Sequence, residues 1–226
     1  MFERYAIFYT APSGAFADFG AAWLGWDSAK AKTATHPEIS GINIHALTAT
    51  PRKYGFHATL KAPFHLAADC TEDALHQAVE IFAQTHAAVD IGPLVLTATH
   101  GFLALRPADD PCALRQLAGA IVTDIDPFRA PMTETDIARR RRSRLTPRQD
   151  QQMLDWGYPF VFEDFNFHMT LTGSLRKERP EVLLPLVSAV VSPVLPQYLR
   201  LDAITLMGQD GQGMFHQIHR VPLTGD

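Results

Sequence analysis

Two periodicities alternate along this chain. Tyr5-Ala6-Ile7-Phe8-Tyr9 is aromatic and β-branched and is stopped by Ala11-Pro12-Ser13-Gly14, which predicts a short strand. A helix is expected around Phe16 to Leu24. From Lys30 to Arg52 the periodicity weakens, punctuated by His36-Pro37, Ser40-Gly41 and Thr50-Pro51, so loop and short pieces are expected before order returns at Tyr54 to Phe64. Thr71 reads as an N-cap with Glu72 and Asp73 in the first turn. Leu75, Val79 and Phe82 then recur at helical spacing until about His86. Leu94 to Thr99 and Phe102 to Arg106 read as strands separated by His100-Gly101.

A helix opening at Pro111 carries Leu114, Leu117, Ile121 and Ile125 on one face. Thr133 to Asp136 and Thr146 to Gln149 resemble capping boxes, predicting two short helices between Thr133 and Trp156. Phe165 to Leu171 alternates like a strand. Pro180 to Val191 has helical composition, with Pro185 expected to kink the helix or mark its start. Leu199 to Met207 and Met214 to Val221, joined through Asp210-Gly211, predict a β-hairpin. Strands and helices are interspersed without strict alternation, which favours an α+β fold with antiparallel sheet over a doubly wound one.

Composition narrows the class. With 46% hydrophobic and 19% charged residues among 226, the chain can bury a core, and disorder and fibre are excluded. No window approaches the apolar length of a membrane span, and Met1-Phe2-Glu3-Arg4 lacks a basic leader, so a cytoplasmic protein with no membrane partner is expected. Cys70 and Cys112 are too few for a disulfide framework or a four-thiolate metal site and read as buried hydrophobes. A net charge of -4 disfavours coating long nucleic acid but leaves room for a small phosphorylated ligand.

The candidate chemistry comes from an internal repeat. Phe56-His57-Ala58-Thr59-Leu60 and Phe167-His168-Met169-Thr170-Leu171 share the pattern F-H-x-T-L, half a chain apart. In a strand, His57 and Thr59 share one face while Phe56, Ala58 and Leu60 take the other, and His168 and Thr170 repeat the arrangement. Lys61 continues the first polar row; Asn166 and Thr172 flank the second. A pseudo-twofold would set the histidines on opposite sides of one cleft, which suits in-line displacement at phosphorus. One imidazole takes a proton from the attacking oxygen and the other protonates the leaving oxygen, while Thr59, Thr170 and Lys61 hold the non-bridging oxygens.

Paired H-x-T-x motifs resemble the signature of the 2H phosphoesterase superfamily. Pro51 to Phe64 is similar to the first block of a branch found with phosphonate-degradation operons (DUF1045-like). Arg139 to Arg142, Leu145 to Gln149, Trp156 to Pro159 and Phe167 to Gly173 are similar to its second. The resemblance implies a metal-independent fold of two related α+β lobes with antiparallel sheets flanking a central cleft. The whole of 1–226 is then one catalytic domain with approximate lobes 1–128 and 129–226. It also implies hydrolysis of a small phosphodiester, a ribosyl cyclic phosphate in a phosphonate setting, with no cofactor and no obligate protein partner. An arginine is common in the family where Asn166 stands.

Other features have plainer readings. His36, His45, His65, His76, His86 and His100 read as structural, and His216 and His219 fall at a spacing that separates rings in a strand. Arg139 to Arg142 with Arg144 and Arg148 reads by default as a solvated helix face; the rival is a phosphate clamp in which Arg140, Arg144 and Arg148 recur at four-residue steps. Tyr54 is a candidate for stacking on a base or sugar, and Gly208 to Gly213 is a turn rather than a phosphate loop. Three functions follow: a cyclic phosphodiesterase, a protein that binds or processes a short nucleotide or RNA end, and a metallohydrolase using the histidines as ligands.

Overall fold

In the computed structural model residues 2–99, 101–109, 111–175 and 180–225 are described; His100 lies outside them. In chain order the elements are β1 (Arg4–Thr10), α1 (Ala15–Leu24), β2 (Trp26–Asp27), β3 (Lys32–Thr33), α2 (Ile44–Leu47), β4 (His57–Phe64), α3 (Glu72–Thr85), β5 (Val89–Gly92), β6 (Leu94–Thr99), β7 (Phe102–Pro107), α4 (Cys112–Ile125), α5 (Glu134–Arg141), α6 (Pro147–Trp156), β8 (Met169–Thr170), α7 (Pro180–Val191), β9 (Leu199–Leu201), β10 (Ala203–Gln209) and β11 (Phe215–Pro222). The helix starts are capped as their sequences imply. Thr71 accepts from the Ala74 amide, and Thr146 and Gln149 form a full reciprocal box.

Seven strands form one antiparallel sheet in the order β11-β10-β1-β4-β8-β7-β6. The α+β architecture therefore holds, with helices α3 and α4 packed on one face of the sheet. Into that face go Ala58, Leu60, Met169 and Leu171, together with Leu75, Val79, Leu114 and Ile121 from the two helices, as one apolar core. The sheet does not divide at residue 128. β10 and β11 return to flank β1, while β6 and β7 flank β8, so each half of the chain contributes to both ends.

The centre of the sheet explains the repeat. β4 and β8 are hydrogen-bonded neighbours, and the register pairs Ala58 with Met169. These are the middle residues of the two F-H-x-T-L motifs, so a local twofold passes between them.

Three elements differ from expectation. The predicted strand Phe165 to Leu171 enters the ladder only at Met169 and Thr170. Leu199 to Met207 splits at Asp202, β9 pairing with β5 while β10 pairs with β1 and β11. The helix Pro180–Val191 runs through Pro185 without starting there.

Candidate active site

The twofold brings the motif side chains together. One residue either side of the Ala58–Met169 pair, an antiparallel register sets His57 across from Thr170 and Thr59 across from His168. All four line a cavity of about 370 Å³, with Tyr54, Phe102, Arg140 and Tyr158 on its walls. The apolar residues between them turn into the core, Ala58 and Met169 both fully buried.

Each imidazole is held in one tautomer. His57 Nδ1 lies 2.9 Å from the Gly55 carbonyl, and His168 Nδ1 lies 2.8 Å from the Asn166 carbonyl, the same two-residue offset in both motifs. A carbonyl only accepts, so Nδ1 carries the proton and donates, leaving Nε2 as the reactive atom. His57 Nε2 sits 3.2 Å from Thr59 Oγ1. Gly55 has φ 75°, and an added Cβ there would come within 2.8 Å of Ser28 Oγ, so the turn that aims this carbonyl requires glycine.

The two histidines differ in surroundings. His57 stacks on Phe8 at 3.9 Å between centroids and on Tyr54 at 5.7 Å, and Tyr54 stacks in turn on Phe215. Burial pushes the His57 pKa down to about 4, aided by the His168 charge and opposed by the Gly55 carbonyl. His168 meets the ring of Phe102 at 5.7 Å. His57 is therefore a neutral imidazole at physiological pH.

A family model described as "Protein of unknown function (DUF1045)" matches residues 59–216. The chain belongs to the DUF1045 family. It is 35% identical over 98% of its length to a Janthinobacterium sp. protein, and 33% identical over 76% of its length to one from Laribacter hongkongensis, both named ribose 1,5-bisphosphate phosphokinase PhnN. The chain spans about half the first of these relatives, 51%, and 40% of the second. Among solved structures it is similar to Escherichia coli LigT complexed with 3'-AMP (TM-score 0.47, 13% identity, 99% of both chains) and to TT0787 of Thermus thermophilus (TM-score 0.48, 11% identity, 99% of both chains).

Not every predicted site residue of this DUF1045 chain reaches the cavity. Lys61 is a correction: it is 3% exposed and donates to Asp126 Oδ1 at 2.9 Å and to the Val122 carbonyl at 3.0 Å. The pairing of β1 with β4 shifts register between Thr59 and Lys61, and this bulge turns Lys61 to the helix side. Burial holds the lysine below its ordinary range despite Asp126. Thr172 does border the cavity, although it is 1% exposed and its hydroxyl accepts from the Leu103 amide at 2.9 Å, because the chain has left the ladder by then and bonds β7 directly.

Of the arginine run, only Arg140 borders the cavity with the motifs, its guanidinium 4.9 Å over the Tyr158 ring. Arg139, Arg141 and Arg148 are ion-paired to Asp136, Asp150 and Asp164. Arg144 is exposed and lines no described cavity: α5 ends at Arg141, and Arg144 has φ 47° in the turn that follows, so the four-residue spacing is not continuous helix. His216 pairs with Asp210 at 2.7 Å, and Cys112 is exposed rather than buried. Among the described residues no group of three His, Cys, Asp or Glu is placed to hold a metal ion, and no helix is long and apolar enough to cross a membrane. Phe8, Phe102 and Tyr158 went unseen because their placement depends on strand order and on a loop path; the Gly55–Asn166 equivalence was visible as a constant offset from each histidine.

Proposed function

We propose that this chain is a metal-independent phosphoesterase of the 2H type that hydrolyses a small cyclic phosphodiester, a ribosyl or nucleotide cyclic phosphate, in phosphonate metabolism. The observation that carries the reading is the pair of imidazoles locked with Nδ1–H on a carbonyl and Nε2 in one cavity, each beside a threonine of the other strand. His57, kept neutral by burial, accepts the proton of the attacking water at Nε2 while the water oxygen bonds to phosphorus. The bond from phosphorus to the ring oxygen breaks, and His168, as imidazolium, delivers its Nε2 proton to that oxygen. The product is a monoester, and a proton passing back between the imidazoles through water resets the pair. Thr59 and Thr170 donate to the non-bridging oxygens, with Arg140 supplying charge at the wall. The name of the PhnN relatives supports a phosphorylated ribose as the substrate class.

A second reading, processing of a short nucleotide or RNA end, draws on the aromatic walls Tyr54, Phe102 and Tyr158, which offer faces for a base. Comparing kcat/KM for ribosyl 1,2-cyclic phosphate, a 2',3'-cyclic nucleotide and a linear 2',5' dinucleotide separates the two. The small ring is expected to win because its leaving oxygen is already held in line. Preference for the linear substrate would move the protein toward RNA processing, and binding without turnover of any would leave a nucleotide-binding protein.

A further inference from the structure

A second cavity of about 730 Å³ adjoins the first and shares Thr59, Phe102, Tyr158 and His168 with it. Its cation is Arg106, a residue with no part in the motifs. β7 pairs with β8 through Ala104 opposite Thr170, so Phe102, Ala104 and Arg106 alternate on the face that carries Thr170 and His168. The register sets Arg106 in the cross-strand position beside His168, within reach of one side chain from the reacting centre.

Among the described residues no side chain compensates Arg106. Its Nε is buried with no hydrogen-bond partner, no carboxylate pairs with it among the described residues, and burial holds its guanidinium below the ordinary range. The carboxylate on the same cavity wall, Asp164, is already taken: Arg148 grips both its oxygens at 2.9 and 3.0 Å, and Gln149 donates to it at 3.2 Å. Asn166 and Ser143 also line the cavity, and neither side chain hydrogen-bonds a described residue. Arg106 is partly buried with its Nε shut away from water, and a desolvated guanidinium nitrogen gains from an anionic acceptor, so the cavity it shares with the exposed Asn166 amide and Ser143 hydroxyl suits an anion.

We propose that this cavity is a second anion subsite, with Arg106 as its specificity-determining residue, and that the substrate carries a phosphate monoester in addition to the diester that reacts. The proposal rests on the reading of the first cavity as the phosphodiester site. Since the subsite lies beyond His168, on the side where the leaving oxygen is protonated, the monoester belongs to the leaving-group portion of the molecule. Arginine suits the task because its planar fork matches two phosphate oxygens and stays charged. A contact to a group that does not react binds ground and transition states alike, so its loss should appear in KM rather than kcat.

The test compares wild type with Arg106→Met, both confirmed folded by circular dichroism melting, in two arms. In the binding arm, calorimetry of ribose 5-phosphate against ribose should show the phosphate improving affinity at least about 10-fold in wild type, the range of a charge-assisted contact, with the gain lost in the variant. In the turnover arm, ribosyl 1,2-cyclic phosphate with a 5-phosphate should exceed the same ring without it by a similar factor in kcat/KM, through KM, and Arg106→Met should erase the difference. Absence of the phosphate gain in wild type, or its persistence in Arg106→Met, overturns the subsite. So does an equal fall in kcat for both rings, which would place Arg106 on the reacting phosphate. If neither ring is hydrolysed the phosphoesterase reading falls, and the binding arm still decides the subsite.

Discussion

Replacing Phe8 with leucine should raise the acid limb of the pH–rate profile. In the proposed reaction that limb reports the imidazole that must be neutral, His57, whose ring lies 3.9 Å from Phe8 and 5.7 Å from Tyr54. Its pKa of about 4, against the ordinary 6.5, is a displacement of about 2.5 units, or roughly 3 kcal/mol against charging the ring in the fold. That figure is an upper one, since the ring edge faces the cavity and keeps some access to water. Leucine preserves the apolar contact of fully buried Phe8 with Met207 and Phe215 at a stability loss of about 1 kcal/mol. Removing one of the two aromatic neighbours should restore about one unit of the displacement. The assay is kcat/KM from about pH 4 to 8, alongside an NMR titration of the histidines. Wild type should hold its rate down to about pH 5, and the variant should begin to lose it about one unit higher. The same displacement carries a stability effect of fixed sign. A histidine whose folded pKa is depressed contributes stability that is present above its unfolded value and lost as the pH falls toward the folded one, so wild type should lose up to about 3 kcal/mol between pH 6.5 and 4 that His57→Gln does not. A wild-type acid limb near 6.5, or a His57 titration that Phe8→Leu leaves unmoved, would refute the reasoning.

The remaining expectations concern the proton-transfer pair and its supports. His57→Ala and His168→Ala should each lower turnover at least roughly 100-fold while remaining folded; near wild-type activity in either removes the two-histidine mechanism. Activity should persist in EDTA, and loss restored by a divalent ion would favour the metallohydrolase. Asp126→Ala should lower stability by about 2–3 kcal/mol in urea unfolding, because it strips the carboxylate from both Lys61 and Arg129, whereas Lys61→Met should keep kcat/KM within a few-fold. Gly55→Ala should lower kcat and cost about 1–3 kcal/mol of stability, since alanine is strained at φ 75° and the carbonyl that fixes the His57 tautomer would move.

The motif residues were legible from sequence because strand alternation is local: H-x-T puts both side chains on one face whatever the rest of the chain does. The same rule failed two positions later, at Lys61, since a bulge that resets the alternation is set by β1 and leaves no mark in the β4 sequence. Thr172 borders the cavity but bonds the β7 backbone, the ladder having ended at Thr170. Arg144 was read as helical from its spacing, but that spacing crosses the end of α5. Phe8 and Arg106 could not be assigned by pattern at all. Each belongs to a strand whose place beside the motifs is a matter of sheet order, and a strand sequence does not name its neighbours.

That sheet order also has a consequence during synthesis. β1 leaves the ribosome well ahead of one of its two partners, β10, which lies some two hundred residues downstream, and its residues Tyr5 to Tyr9 end almost wholly buried. Until Ala203 to Gln209 have emerged, β1 presents an apolar strand with one free edge, an invitation to pair with the wrong chain. The Phe8 ring that desolvates His57 sits on that strand and is backed, like Tyr54, by Phe215 of the last hairpin, so the packing that lowers the imidazole pKa is complete only with that hairpin. A nascent chain stalled before β10 should therefore engage chaperones and carry a His57 whose pKa is less depressed than in the complete fold, although both H-x-T-x motifs have already been translated.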